Sequence, residues 1–372
     1  MKTNTEAFAR YHQAKEELAE YAQIGSAAIH LLKRNVSATN GASLLGVFVD
    51  SYGSEHWSAG KLFPDPVRKT LDIGEMFCHH VLVQQISSFD IFTRAIISDF
   101  SRFSIWARTN CTEIFHDHVL LNRSPQGRWV AGPCCYEMEN KLGDLVNRIS
   151  DLKRLIHWTP SQKLEPVLPL FDLARMCRNR IVHSDGLIGS DLAEFSSSSQ
   201  VKNAMAAFRK NYTKSDVPAL PTWRRGEQLK ITAENAIFFG AVIYEIAKEI
   251  NVYVCSKITD DEFVEMAFFY SCVVETHPFR TIRHKNAQAR IKHYLASRYL
   301  YKGVSRIGSI HQPLKAKISI GSGKNLVEST KWKVALEKHD ELSKFEAEAE
   351  EGEGLAEAGA ELKAAPTKKV KK

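Results

Sequence analysis

The stretch Leu170-Phe171-Asp172-Leu173-Ala174-Arg175-Met176-Cys177-Arg178-Asn179-Arg180-Ile181-Val182-His183-Ser184-Asp185-Gly186 decides how the chain reads. Leu170, Leu173, Ala174, Cys177 and Ile181 recur at steps of three and four, which is the apolar stripe of a packed helix. The helix starts after Pro166 or Pro169, and Gly186 stands in the C-cap position that ends it. Arg178 lies one turn past Ala174 and two past Phe171, at the edge of the stripe that faces inward. A guanidinium cannot shed its proton, so at that place it needs an acidic partner. Asp90, flanked by Phe89 and Phe92, is the candidate for a bidentate pair with it. Asn179 and His183 are four apart and share a helix face near its C-terminal end.

Three more striped segments surround this one. Residues 73–103 carry Leu82, Ile86, Phe89, Ile96, Phe100 and Phe103 on one face, the pattern of a long helix. Met138, Leu142, Leu145, Ile149, Leu152 and Ile156 predict a second helix over 136–158, stopped by Pro160. Thr232 is the expected N-cap of a fourth, with Glu234 in its first turn and Ala236, Phe239, Ile243, Ile246 and Ile250 on its stripe. Four such helices predict a mainly α chain built on a four-helix bundle. Extra helical segments flank it, over 5–33, 260–274 and 278–301. The expected organisation is an N-terminal helix and loop-rich segment over 1–72, in which short strands remain open, and the bundle over 73–256. A basic helical extension over 257–330 and a charged helix with a tail over 331–372 follow. The insert 187–230 holds a Ser196–Ser199 run and a short helix over 201–208. Residues 318–323 read as a strand and turn, and residues 346–372, poor in large apolar side chains, read as disordered.

Bulk composition narrows the classes. With 372 residues, 44% of them hydrophobic, the chain is long enough to bury a real core. Seven scattered cysteines without a Cys-x-x-Cys pair fit reduced thiols in a cytoplasmic protein. Residues 1–20 show no secretory pattern, and no uninterrupted apolar stretch is long enough for a bilayer, so a soluble protein with no membrane partner is expected. Cys111, His116, His118, Cys134 and Cys135 match no common zinc spacing, and neither a metal nor another cofactor is expected.

An arginine beside a histidine suits metal-free cleavage of RNA, because imidazole can move a proton while guanidinium answers charge on the phosphoryl oxygens. His183 stands five helical steps past Arg178, so their side chains leave the axis roughly 140° apart. They converge if the long arginine reaches around, if the last turn unwinds, or if a second subunit completes the site. His183 then serves as acid, base or phosphate ligand. A purely structural reading of the same residues has Arg178 holding the bundle through Asp90 and His183 complementing the helix dipole.

Arg178, Asn179 and His183 match the Arg-x4 to x6-His motif of the HEPN superfamily, which the region 72–254 resembles. Ser87-Ser88-Phe89-Asp90-Ile91-Phe92 is similar to the polar and acidic signature on that family's first helix. The resemblance implies a metal-independent endoribonuclease in which the 2′-hydroxyl attacks its own phosphate. His183 would be acid, base or phosphate ligand, Arg178 the transition-state stabiliser, Asn179 an orienting group and Asp90 the holder of Arg178. It also implies a homodimer with two motifs in one cleft, an antitoxin or inhibitor protein as partner, and a toxin or phage-defence setting. The departure from the family pattern is the long insert after His183, which bears on the shape of the cleft.

Residues 276–327 contain no Asp or Glu but hold Arg280, Arg283, Lys285, Arg290, Lys292 and Arg298 among other cations, interleaved with Phe279, Tyr294, Tyr299 and Tyr301. That mixture suits phosphate contacts plus base stacking on RNA. It supports an alternative from another class, a catalytically silent RNA-binding or scaffold protein using this face. His277-Pro278-Phe279 opens like a Fic motif, but Arg280-Thr281-Ile282-Arg283 replaces the phosphate cradle. Gly321-Ser322-Gly323-Lys324 is too short for a Walker loop.

Overall fold

The structure, a computed structural model, describes residues 4–38, 66–111, 121–123, 129–131, 142–213, 216–270 and 287–301. Helices α1 (Glu6–Ala38) and α2 (Pro66–Phe103) pair as an antiparallel hairpin. Phe8 meets Phe92 at one end and Tyr21 meets Phe77 at the other, at ring-centre distances of 6.0 and 5.0 Å. The Phe77 ring lies against Gly25, where a Cβ would come within 2.2 Å of it, so that turn of α1 accommodates the ring only by lacking a side chain. Asp72 falls inside α2, so the helix runs through the place where a segment boundary is expected. Phe92 centres the core among Phe8, Tyr11 and Phe89, and Phe89 carries the contact on to Phe171 edge-on at 5.2 Å.

Short helix α3 (Ile105–Asn110) follows, then an antiparallel ribbon of β1 (Leu121–Arg123) and β2 (Trp129–Ala131). Helix α4 covers only Arg148–Ile156, not the expected 136–158. Residues 142–147 form turns, and 136–141 lie outside the described residues. Gly143 leaves the helix path and donates its N–H to Asp151 Oδ2 at 2.9 Å. Leu142 is still fully buried from that turn, so the apolar spacing continues although the helix does not. His157, at φ 57°, ends α4 before Pro160.

Helix α5 (Leu168–His183) is entered through a 3-10 turn, Glu165–Val167. It ends as the glycine predicts: Gly186 takes φ +76° and donates to Arg180 O at 2.9 Å. The insert holds two helices rather than one, α6 (Ser190–Ser197) and α7 (Ser199–Tyr212). Its ends are tied together by a bridge between Leu187 and Gln228, and Leu229 N donates to Gly186 O at 2.8 Å. Helix α8 (Ala233–Lys257) is buried along most of its length. Its capping box uses Thr232 with Asn235, and Glu234 stands in its first turn as expected. Helices α9 (Asp260–Phe269) and α10 (Ala287–Ser297) complete a mainly helical bundle. No described helix is long and apolar enough to cross a membrane. The expected strand over 318–323, the loop-rich connector over 39–65 and the charged tail lie outside the described residues.

The basic extension is fastened to the chain's beginning. Glu6, 1% exposed, accepts from Arg10 Nε at 2.6 Å, from Tyr294 Oη at 2.9 Å and from Arg298 Nε at 3.1 Å, with Arg298 Nη2 2.8 Å from its other oxygen. Removing one member of a buried ionic group strands the rest. Glu6→Ala should therefore lower unfolding free energy by about 3 kcal/mol in urea titration, since the arginines keep some access to water.

A second expectation concerns His79, whose Nε2 donates to Leu229 O at 2.9 Å and holds the far end of the insert on α2. Burial keeps this imidazole below its ordinary value, against the opposing pull of that carbonyl and Glu75. A depressed folded value means the unfolded chain takes up its proton first. Stability should therefore fall as pH drops below about 6.5, and His79→Gln should flatten that part of the profile of urea midpoints.

Candidate active site

Phe171, Ala174 and Cys177 are buried, which turns Arg178 and Asn179 to half-buried positions at the rim of the core, while His183 is exposed. The long side chain of Arg178 reaches round the helix. Its Nη1 donates to Asn179 Oδ1 at 3.2 Å and approaches His183 Nε2 at 3.4 Å. Of the three routes to convergence, this is the first, achieved within one chain and with α5 helical through His183. A guanidinium only donates, so a hydrogen bond at this approach requires Nε2 as the acceptor. At 3.4 Å the contact is long, and an anion placed between the two groups replaces it with better-matched partners.

Asp90 does not pair with Arg178. Its Oδ1 accepts from Arg148 Nη2 in a short contact, and its Oδ2 accepts from Arg94 Nε at 3.1 Å. The expected pairing is corrected for a physical reason: Arg148, at the first position of α4, is completely buried and has the stronger claim on a carboxylate. Arg148 Nη2 also reaches Gly143 O at 3.4 Å, which ties the turn to the same group. Burial holds this guanidinium below its usual value, with Asp90 opposing and Arg94 reinforcing the effect. Arg148 Nε and Nη1, and Arg178 Nε, are buried without a hydrogen-bond partner among the described residues.

These groups share one open cleft of ≈ 490 Å³, walled by Asp90 and Arg94 of α2, the 142–146 turn, Arg148, and Arg178, Asn179 and His183. Among the described residues of its wall, three guanidinium groups face two carboxylates, and one of those, Asp144, is exposed. No described residue of the insert lines the cleft, so the insert leaves its shape to α2, α5 and the turn. Cys177 stays out of the chemistry, because full burial drives its thiol far above the ordinary range.

Arg94 and Arg148 are the site residues that sequence reasoning missed. Arg94 was within reach, since it stands one helical turn after Asp90. Arg148 carried no local signal, because its burial depends on the helix starting late.

The expected RNA-binding face fares differently. Arg280, Arg283 and Lys285 lie outside the described residues, Arg290 stands on α10, and Lys292 is half-buried there. Arg298 is committed to Glu6, and Tyr299 and Tyr301 are buried, so none of these three serves phosphate contact or base stacking as placed. Cys111 is buried, and His116, His118, Cys134 and Cys135 fall outside the described residues.

Comparison of the chain with protein-family models, with curated proteins and with solved structures finds no match. Its chemistry is therefore read from its own residues.

Asp90→Asn should cost about 3–5 kcal/mol, because it leaves Arg148 charged and buried without a counterion. The double variant Asp90→Asn/Arg148→Met should recover most of that loss in thermal unfolding. Equal losses in the single and double variants would show that the pair matters only as packing.

Proposed function

We propose that this protein is a metal-independent endoribonuclease of HEPN type, with the Arg178, Asn179 and His183 cleft as its active site. The observation that carries the reading is the meeting of Arg178 Nη1 and His183 Nε2 in an open, arginine-rich cleft. The 2′-oxygen of the substrate attacks the adjacent phosphorus, its proton passes to a base, and the bond to the 5′-oxygen breaks with a proton delivered to that oxygen. The products are a 2′,3′-cyclic phosphate and a 5′-hydroxyl end. His183 supplies one of those proton transfers or holds the phosphate, and Arg178 answers the charge that grows on the non-bridging oxygens. Asn179 holds the Arg178 guanidinium from one side. Both oxygens of Asp90 are taken by arginines, a donor set that suits anion rather than cation binding. The HEPN resemblance extends the proposal to a homodimer acting in a toxin or defence setting under an inhibitor protein.

Purified protein incubated with RNA and EDTA should leave cyclic phosphate ends. His183→Ala should slow cleavage by roughly 10²–10⁴-fold. Its melting temperature should stay close to wild type, because His183 is exposed. Cleavage that stops on adding the chelator rejects the mechanism. Unfolding of both Arg178→Ala and His183→Ala favours the silent binding protein instead.

A further inference from the structure

On α1, Tyr21, Ile24, Ala28 and Leu31 are all exposed, Ile24 by 71% and Leu31 by 58%. Their spacing of three, four and three sets them in one line along the helix, as the a and d positions of two successive heptads. The side of α1 that packs on α2 is a different one, carrying Gly25 against Phe77 and Ile29 against Gly74. Tyr21 stands where the two sides meet. Its ring lies 5.0 Å from Phe77 and 6.3 Å from His80, so α2 holds it in place while about half of it stays open. Ile73 and Met76, both exposed, precede His80 by two helical turns and one, and so share its side of α2. The outer side of the hairpin is thereby an apolar band drawn from two helices. A continuous exposed band of this kind marks a docking face.

A second copy of the chain supplies the matching surface. Laid antiparallel with a twofold axis at the level of Ser26, the line sets Tyr21 opposite the partner's Leu31 and Ile24 opposite the partner's Ala28. The central layers then place a large side chain against a small one, which lets the two helices approach closely. In that same register Glu20 comes opposite the partner's Arg34, and Arg34 opposite the partner's Glu20; both residues are exposed and both fall at flanking heptad positions. A parallel pairing would stack Ala28 on its own copy and set Glu20 beside Gly25, with no charge to meet. We infer that this protein dimerises through the outer side of its α1 and α2 hairpin, with the two α1 lines antiparallel and Glu20 of each copy paired with the partner's Arg34. The inference does not depend on the chemistry of the cleft. It also differs from a dimer with two motifs in one cleft, because Asp90 lies ~21 Å along α2 from Met76 and the two active sites stay separate.

Sedimentation velocity of the purified full chain over a range of micromolar concentrations should show monomer and dimer in equilibrium. Ile24→Glu places a carboxylate in both central layers and should raise the dissociation constant at least about 100-fold. Its melting temperature in dilute solution should match wild type, because Ile24 is exposed in the single chain. Glu20→Arg sets arginine against arginine twice and should weaken the dimer about tenfold, as should Arg34→Glu. The double variant Glu20→Arg/Arg34→Glu should return close to wild-type affinity, which a loss of packing alone would not do. A double variant no tighter than the single ones overturns the antiparallel pairing. A dimer that survives Ile24→Glu overturns the hairpin interface and points to a dimer through another face, such as the cleft. A wild-type chain that stays monomeric overturns the inference, and if Ile24→Glu then lowers the melting temperature, another part of the same chain covers the band.

Discussion

The Asp90 carboxylate is the constraint around which the cleft is arranged. One oxygen takes Arg148 from the first turn of α4, and the other takes Arg94 from the next turn of its own helix. Arg148 reaches that carboxylate from the first position of α4, and its Nη2 also meets Gly143 O in the turn that precedes the helix. Phe89, one residue before Asp90, anchors the same stretch of α2 in the aromatic core against Phe92 and Phe171. The apolar side of α2 thus fixes α5, and its polar side fixes α4. Between them they leave Arg178 and His183 at the edge of an open space.

Much of this could be read in the chain. The stripes of α2, α5 and α8 follow strict helical spacing, and their caps, Gly186 and Thr232, stand where the sequence puts them. The stripe of 136–156 misled because burial and helicity are different things. Leu142 fills the core from a turn as well as a helix would. The pairing of Asp90 misled for a related reason. An acidic residue set among phenylalanines demands a cation, but spacing alone cannot choose among Arg94, Arg148 and Arg178, and the most deeply buried of them is the one that sequence gives least reason to suspect. Convergence of Arg178 with His183 depended on side-chain length overcoming the angle between them, a choice the periodicity left open.

The C-terminal cations show the opposite lesson, that a run of basic and aromatic residues is not one functional unit. Arg298 and Tyr294 close on the buried Glu6, and Tyr299 and Tyr301 pack on Phe263. The first turn of α1 and the end of the described chain are thereby parts of one ionic knot. Net positive charge in this stretch overstates what is available to an anionic partner, because a share of it is spent on holding two distant pieces of the chain together.

The bridge between Leu187 and Gln228 brings both ends of the insert to the same point, just beyond the last turn of α5. The excursion between those ends is packed down rather than hung outside: Arg180 of α5 pairs with Asp191 of α6, Phe208 of α7 meets Phe238 of α8 edge-on at 5.3 Å, and Leu192, Val201 and Ala204 are buried. The α6 and α7 pair is thereby a brace between α5 and α8, and cutting it out would bare apolar surface on both.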